Sequence, residues 1–237
     1  MSERVYPYAV VLAASNAASI NVRGLRGRSV SLLPAGQIGV WASRVAQFIP
    51  EPADLLVHHE VVEAVCAAGP ALPIRFGSSF PDETALETAL SPRTGGLIVA
   101  LKRVGDMREL AVMLEWRSPV GEMSSESQPP EVSGAGPGRR YIAQRAQRWA
   151  ALDGRRARAT EMAAQLQDAL SAGGVVDACV RRRIVPAPRV ALSCAVLAEP
   201  AAAEDVMRLV RDKAAEWLDV RLHLAGPWPP YSFTDAD

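Results

Sequence analysis

The 237 residues predict an α+β protein of two domains, and three observations predict it. The second half of the chain reads helix, strand, strand, helix, strand, an order that suits an antiparallel sheet with helices on one face. The stretch 118–135 is rich in Ser, Pro, Gly and Glu, with almost no bulky apolar residue besides Met123. That is the composition of a linker or surface loop. The length is comfortable for two domains. The expected division is therefore an N-terminal α+β domain at 1–117, a linker at 118–135 and a C-terminal α+β domain at 136–237.

Val5–Leu12, rich in Val and Tyr, reads as the first strand. Ser15–Gly27 is a loop, and Ser29–Leu33 with Gln37–Ser43 forms a hairpin around Pro34-Ala35-Gly36. The prolines at 50 and 52 break the chain before a helix over Ala53–Ala68. Leu55, Val57, Val61, Val62, Val65 and Cys66 fall in one half of its wheel, with Glu60 and Glu63 opposite. Gly69-Pro70 ends that helix, and a short strand, Leu72–Phe76, follows. Pro81-Asp82-Glu83 opens another helix with acids where the dipole favours them. A second short helix starts at Thr94, and Glu109–Trp116 alternates as a strand does.

A long helix runs from Arg139 to Ala172. Its apolar stripe passes through Ile142, Ala146, Trp149, Leu152, Ala159, Met162, Leu166 and Leu170, and shifts near Asp153-Gly154, where a kink is expected. Gly173-Gly174 terminates it. Strands are expected at Val175–Val185 and Arg189–Ala198, with Val190, Leu192, Cys194 and Val196 on one face of the second. Glu199–Leu218 is an amphipathic helix on Val206, Leu209, Val210, Ala214 and Trp217. Val220, Leu222 and Leu224 alternate with Arg221 and His223 in a last strand.

Then comes Gly226-Pro227-Trp228-Pro229-Pro230-Tyr231-Ser232-Phe233. Its prolines forbid a helix or a central strand, yet its three aromatic rings carry too much apolar surface to stand idle in water. This tail is either a structural clasp laid over a groove or a proline-rich ligand for a partner. It resembles the closing signature of the gas vesicle GvpL/GvpF family. Leu72-Pro73-Ile74-Arg75-Phe76-Gly77, with Phe80 after it, is similar to the family's central LP-x-RFG block. His59, Val62, Val65 and Gly69-Pro70 resemble the helix leading into that block, Gly24-Leu25-Arg26-Gly27 a turn before it, and Gly136-Pro137-Gly138-Arg139 with Tyr141 the entry to the long helix. The blocks occur in the family's order across residues 4–233; 118–135 matches nothing in particular, and Arg181-Arg182-Arg183 is unusually basic. The resemblance implies two α+β domains, the C-terminal one a ferredoxin-like variant with a long helix. It also implies a non-enzymatic accessory or minor structural protein that binds the gas vesicle shell protein and other Gvp components during assembly.

Composition bounds the function independently. Formal charge is zero, and it balances within each half, which argues against a nucleic-acid binder. No run approaches the ~20 apolar residues of a membrane span. The N-terminus has no signal layout, so a cytoplasmic, gas-vesicle location is expected. Cys66, Cys179 and Cys194 lack a CxxC pair and read as buried free thiols. No cofactor and no metal are expected. His58 and His59 point about 100° apart on a helix and do not share an ion easily, so His58 reads as a hydrogen-bonded core histidine. No nucleophile–base pair emerges, and no catalytic residue is expected.

The candidate protein-binding residues are Arg75, Arg155, Arg156, Arg158, Trp228, Tyr231 and Phe233. Arg75 interrupts an apolar strand, so it either pairs with Glu60, Glu63 or an acid of the C-terminal domain, or meets a partner protein. The long helix holds seven arginines against Asp153, Glu161 and Asp168 over Arg139–Leu170. That excess is either a solvated face or a docking surface for an acidic partner, and Arg155, Arg156 and Arg158 repel one another unless something neutralises them. Self-association stays open. Two readings compete with the vesicle role: a small-molecule-binding or regulatory α+β protein, for which a closed polar pocket near Arg75 would speak, and an RNA-binding module, which the lack of paired exposed aromatics disfavours.

Overall fold

The computed structural model describes residues 3–13, 20–46, 49–118, 137–176, 180–183 and 189–234. The expected linker beyond Ser118, Cys179, and the Pro186-Ala187-Pro188 turn lie outside the described residues, as do the side chains of Arg181–Arg183. The chain is mixed helix and sheet. It forms two compact units: residues 1–109, 197–201 and 226–237 make one, and 110–196 and 202–225 the other. The expected boundary after residue 117 is thus displaced. Residues from Leu110 onward enter the second unit with the C-terminal sheet, while the tail from Gly226 belongs to the first.

The sheet of the first unit has the order β2-β3-β1-β4, built from β1 (Glu3–Leu12), β2 (Ser31–Ala35), β3 (Ile38–Ala46) and β4 (Leu72–Pro73). All its pairings are antiparallel. The β2–β3 hairpin closes later than expected. Pro34 and Ala35 stay in register opposite Gly39 and Ile38, so Gly36-Gln37 make the turn, with Gly36 at φ +66° where a side chain would be strained. β4 is shorter than expected because Arg75–Ser78 turns: the Ser78 amide donates to the Arg75 carbonyl at 3.2 Å. The chain rejoins β1 at Phe80, which exchanges both backbone hydrogen bonds with Val5 at 2.9 Å.

Helix α1 (Pro52–Ala68) packs Val61, Val62 and Val65 against Tyr6, Tyr8, Leu25 and Trp41. The wheel reading holds for those valines and fails for Leu55, which is 49% exposed. The face is rotated because Asp54 and His58 occupy it, each with partners. Asp54 accepts the Glu51 amide in a capping box and takes Arg26 at 3.1 Å. Helices α2 (Glu83–Leu90), capped by Asp82 accepting the Ala85 amide, and α3 (Thr94–Val104) complete this unit.

The other sheet, whose strands lie mostly in the second unit, has the order β6-β7-β5-β8 and is built from β5 (Arg108–Trp116), β6 (Val180–Arg183), β7 (Val190–Ala198) and β8 (Val220–Trp228). β7 is buried along both faces rather than one: Ala191, Leu192 and all of Cys194–Ala198 are buried. β8 runs on through Pro227, which an edge strand tolerates. Helix α5 (Ala203–Ala215) is shorter at both ends than the expected Glu199–Leu218, and Leu218 is 86% exposed. Helix α4 (Pro137–Ala172) continues unbroken through Asp153-Gly154 and is about 54 Å long. It ends in a Schellman motif: Val175 N–H reaches the Leu170 carbonyl at 2.9 Å, Gly174 N–H the Ser171 carbonyl at 3.0 Å, and Gly174 sits at φ +86°.

Candidate functional site

Beneath α1, Tyr6 and Tyr8 form the hub of the first unit. The Tyr6 hydroxyl accepts the Gly77 amide at 3.0 Å and lies 3.2 Å from His58 Nδ1, while His58 Nε2 lies 3.0 Å from the Ile74 carbonyl. A carbonyl requires a donor, so Nε2 carries the proton and Nδ1 accepts from Tyr6. Burial drives the Tyr6 phenol up to about 12 and the His58 imidazole down to about 4. His58 is a core histidine, as expected. Tyr8 donates to Ser43 Oγ and accepts the Leu25 amide, and the Ser43 hydroxyl donates onward to the Ser29 carbonyl. A Cβ on Gly24 would sit 2.3 Å from both the Tyr8 and Ser43 oxygens, so this turn requires glycine for close approach. The LP-x-RFG block is thereby tied to β1 and α1 through its backbone.

Arg75 is the member of that block that faces out. It is exposed, and its guanidinium pairs with no described residue, so the expected internal ion pair with Glu60 or Glu63 is not made. Glu63 is instead engaged by His59 at 3.9 Å and Arg108 at 3.7 Å. The reason is local. The turn at 75–78 ends the strand before Arg75 can enter the sheet.

The tail docks on the first unit as a clasp. Pro229 and Pro230 are buried, and Tyr231–Phe233 form a short 3-10 turn. The buried Glu109 carboxylate receives both the Ser232 amide and the Ser232 hydroxyl at 2.7 Å. Arg103 donates to the Phe233 carbonyl at 3.2 Å. Phe233 is 0% exposed, which corrects its reading as a partner contact: it is a core residue. Trp228 and Tyr231 remain 42% and 37% exposed. Tyr231 stacks on His59, its hydroxyl 3.2 Å from His59 Nδ1, and Trp228 meets the same imidazole edge-on at 5.5 Å. Burial pushes the Tyr231 phenol well up. His59, Glu109 and Arg103 are the residues that sequence reasoning missed here. An acid opening an otherwise apolar strand, as Glu109 does, was the available signal.

In the second unit the three arginines of α4 separate. Arg155 lies over the Trp116 ring at 5.1 Å and donates to the Ser118 carbonyl, and desolvation there lowers its pKa. Arg158 bridges Glu161 at 3.0 Å and Asp219 at 3.4 Å, with the Glu161 hydrogen bond foremost in raising its pKa. Arg156 is exposed and pairs with no described residue. The same division runs along the helix. Met162, Ala163, Leu166 and Leu170 are buried, whereas Tyr141, Ile142, Trp149 and Leu152 are 61%, 67%, 58% and 41% exposed. What changes near Gly154 is burial, not helical continuity. His223 of β8 pairs with Glu115 of β5 at 3.0 Å.

A family model described as "Gas vesicle synthesis protein GvpL/GvpF" matches residues 4–235. The chain belongs to the GvpL/GvpF family. It is similar to "Gas vesicle protein L" of Streptomyces sp. (strain CB03234), with 28% identity over 180 residues, which is 74% of this chain and 66% of that protein. The chain thus spans about two-thirds of the length of that relative. Two crystal structures share its fold. They are GvpF from Anabaena sp. PCC7120, with TM-score 0.75, 18% identity and 99% and 97% of the two chains covered, and GvpF from Microcystis aeruginosa, with 0.72, 15%, and 98% and 99%. Among the described residues no helix is long and apolar enough to cross a membrane. The GvpL/GvpF blocks read from the sequence fall on the Tyr6–His58 hub, the docked tail and the start of α4.

Proposed function

We propose that this GvpL/GvpF family member is a non-enzymatic accessory or minor structural component of the gas vesicle, acting in the cytoplasm. In this reading it binds the shell protein and other Gvp components during assembly. The family match across residues 4–235 carries the reading. The physical need is that a subunit destined for a gas-facing apolar wall is an aggregation hazard before it assembles. A partner with half-exposed aromatic and arginine side chains suits such a client, because Trp, Tyr and Arg dominate binding energy at protein interfaces. Arg75, Trp228 and Tyr231 on the first unit and Arg156 on the second are the proposed contacts.

The test is binding of the purified chain to monomeric shell protein kept soluble by fusion. Saturable binding, weakened by Trp228→Ala or Arg75→Glu in a folded chain, supports the role. No binding by the folded wild-type chain moves the activity to another Gvp component. Truncation before Gly226 is the weaker probe, since it also removes Phe233 from the core.

A further inference from the structure

The first half of α4 carries a core-like face with no core beneath it among the described residues. On an ideal helix at about 100° per residue, with Tyr141 as zero, Leu152 falls near 20°, Trp149 near 80° and Ile142 near 100°. In the second half of the same helix the buried Leu166, Ala159, Leu170 and Ala163 fall between about −20° and 40°. The exposed face therefore continues the line that packs into the second unit. Arg148, Arg145 and Arg156 sit within the exposed arc, near −20°, 40° and 60°. All three are exposed. None pairs with a described carboxylate, and Arg145 reaches only the Tyr141 hydroxyl at 3.4 Å. The opposite face holds Ala143, Gln147 and Ala150, and Asp153 at the arc's edge is the one acid between Pro137 and Thr160.

We propose that the Tyr141–Arg156 face of α4 docks an acidic amphipathic helix of another protein. Charge complementarity selects this occupant: an apolar stripe interleaved with unpaired arginines calls for apolar anchors interleaved with carboxylates. An anionic lipid surface fits less well. A membrane-surface helix keeps its cations on the face away from the acyl chains, whereas Arg145 and Arg156 lie between Leu152 and Trp149 and would be driven into hydrocarbon with them. A second copy of this face would set arginine against arginine. The inference does not rest on the shell-protein reading, because it concerns the chemistry of the partner helix.

The test uses the full chain and a labelled synthetic amphipathic helix of about five turns, with leucines on one face and glutamates interleaved, read by fluorescence anisotropy. A matched peptide with lysine for glutamate and vesicles of phosphatidylcholine with phosphatidylglycerol are the other probes. Saturable, salt-sensitive binding of the glutamate peptide is expected. It weakens roughly tenfold or more in Arg145→Glu/Arg148→Glu and in Trp149→Ala, and is unchanged in Ala143→Glu/Ala150→Glu on the opposite face. The reversed-charge variant gains the lysine peptide, a result that loss of folding cannot imitate. Equal binding of both peptides by wild type, or binding of neither, overturns the proposal. So does binding of vesicles alone, or a dimer that shields Trp149 in the absence of peptide. Absence of shell-protein binding by the folded wild-type chain, with the peptide result intact, would move the proposed function to another Gvp component and leave this inference standing.

Discussion

The C-terminal clasp and the first half of α4 present the same problem in sequence and opposite solutions in structure. Both gather aromatic and apolar side chains into one short segment. In the clasp, Phe233 is buried, Ser232 is held twice by Glu109, and Tyr231 lies on His59. Along α4, Tyr141, Ile142, Trp149 and Leu152 stay exposed. Apolar surface stabilises a fold only where another surface covers it. Composition therefore shows that a segment needs covering, and it does not show whether the cover is internal.

The largest break of this contrast is Phe233→Ala, which removes a fully buried ring from the clasp. A loss of about 3–5 kcal/mol in urea unfolding is expected; a loss below about 1 kcal/mol would mean the clasp is not part of the core. Next comes the hub beneath it. His58 is held neutral, with a pKa lowered from 6.5 to about 4. The unfolded chain then binds more protons between those values, so the contribution is full above pH 6.5 and is lost as pH falls toward 4. About 3 kcal/mol is at stake. Unfolding free energies measured from pH 7.5 to 4.5 should fall less steeply in His58→Gln than in wild type, and parallel slopes would remove His58 as the cause.

Glu109→Gln sharpens the clasp further. The amide accepts one Ser232 bond well but turns a donor toward the other, and a loss of about 1–2 kcal/mol is expected, with faster proteolysis of the tail than in wild type. The smallest effect belongs to α4. Trp149→Ala should change stability by no more than about 0.5 kcal/mol, because Trp149 is 58% exposed. A loss as large as that of Phe233→Ala would show that Trp149 is packed in solution and would erase the contrast.

Much of the fold was legible in the sequence because its signals are local. The valine-rich β1, the break before α1, Asp82 capping α2, and the double glycine closing α4 each act over a few residues. The misreadings arose where distant partners decide. Leu55 lost its place on the buried face of α1 because Asp54 and His58 find Arg26, Tyr6 and the Ile74 carbonyl there. Arg75 left the sheet because the chain turns to rejoin Val5 at Phe80. In the candidate sites, the prolines and rings of the tail marked a rigid segment that something must cover, but the choice between clasp and partner ligand rested on its anchor Glu109, which lies 123 residues away.

By itself the sequence determined the α+β class, most elements and the family, because periodicity, capping and the ordered motif blocks are written in short windows. The tertiary structure alone decided which arginines are spent inside the fold and which face out. Arg155 and Arg158 are taken by Trp116, Ser118, Glu161 and Asp219, while Arg156 on the same helix is left to solvent. A charge is neutralised by whatever lies within a few ångströms, and that neighbourhood exists only once the chain has folded.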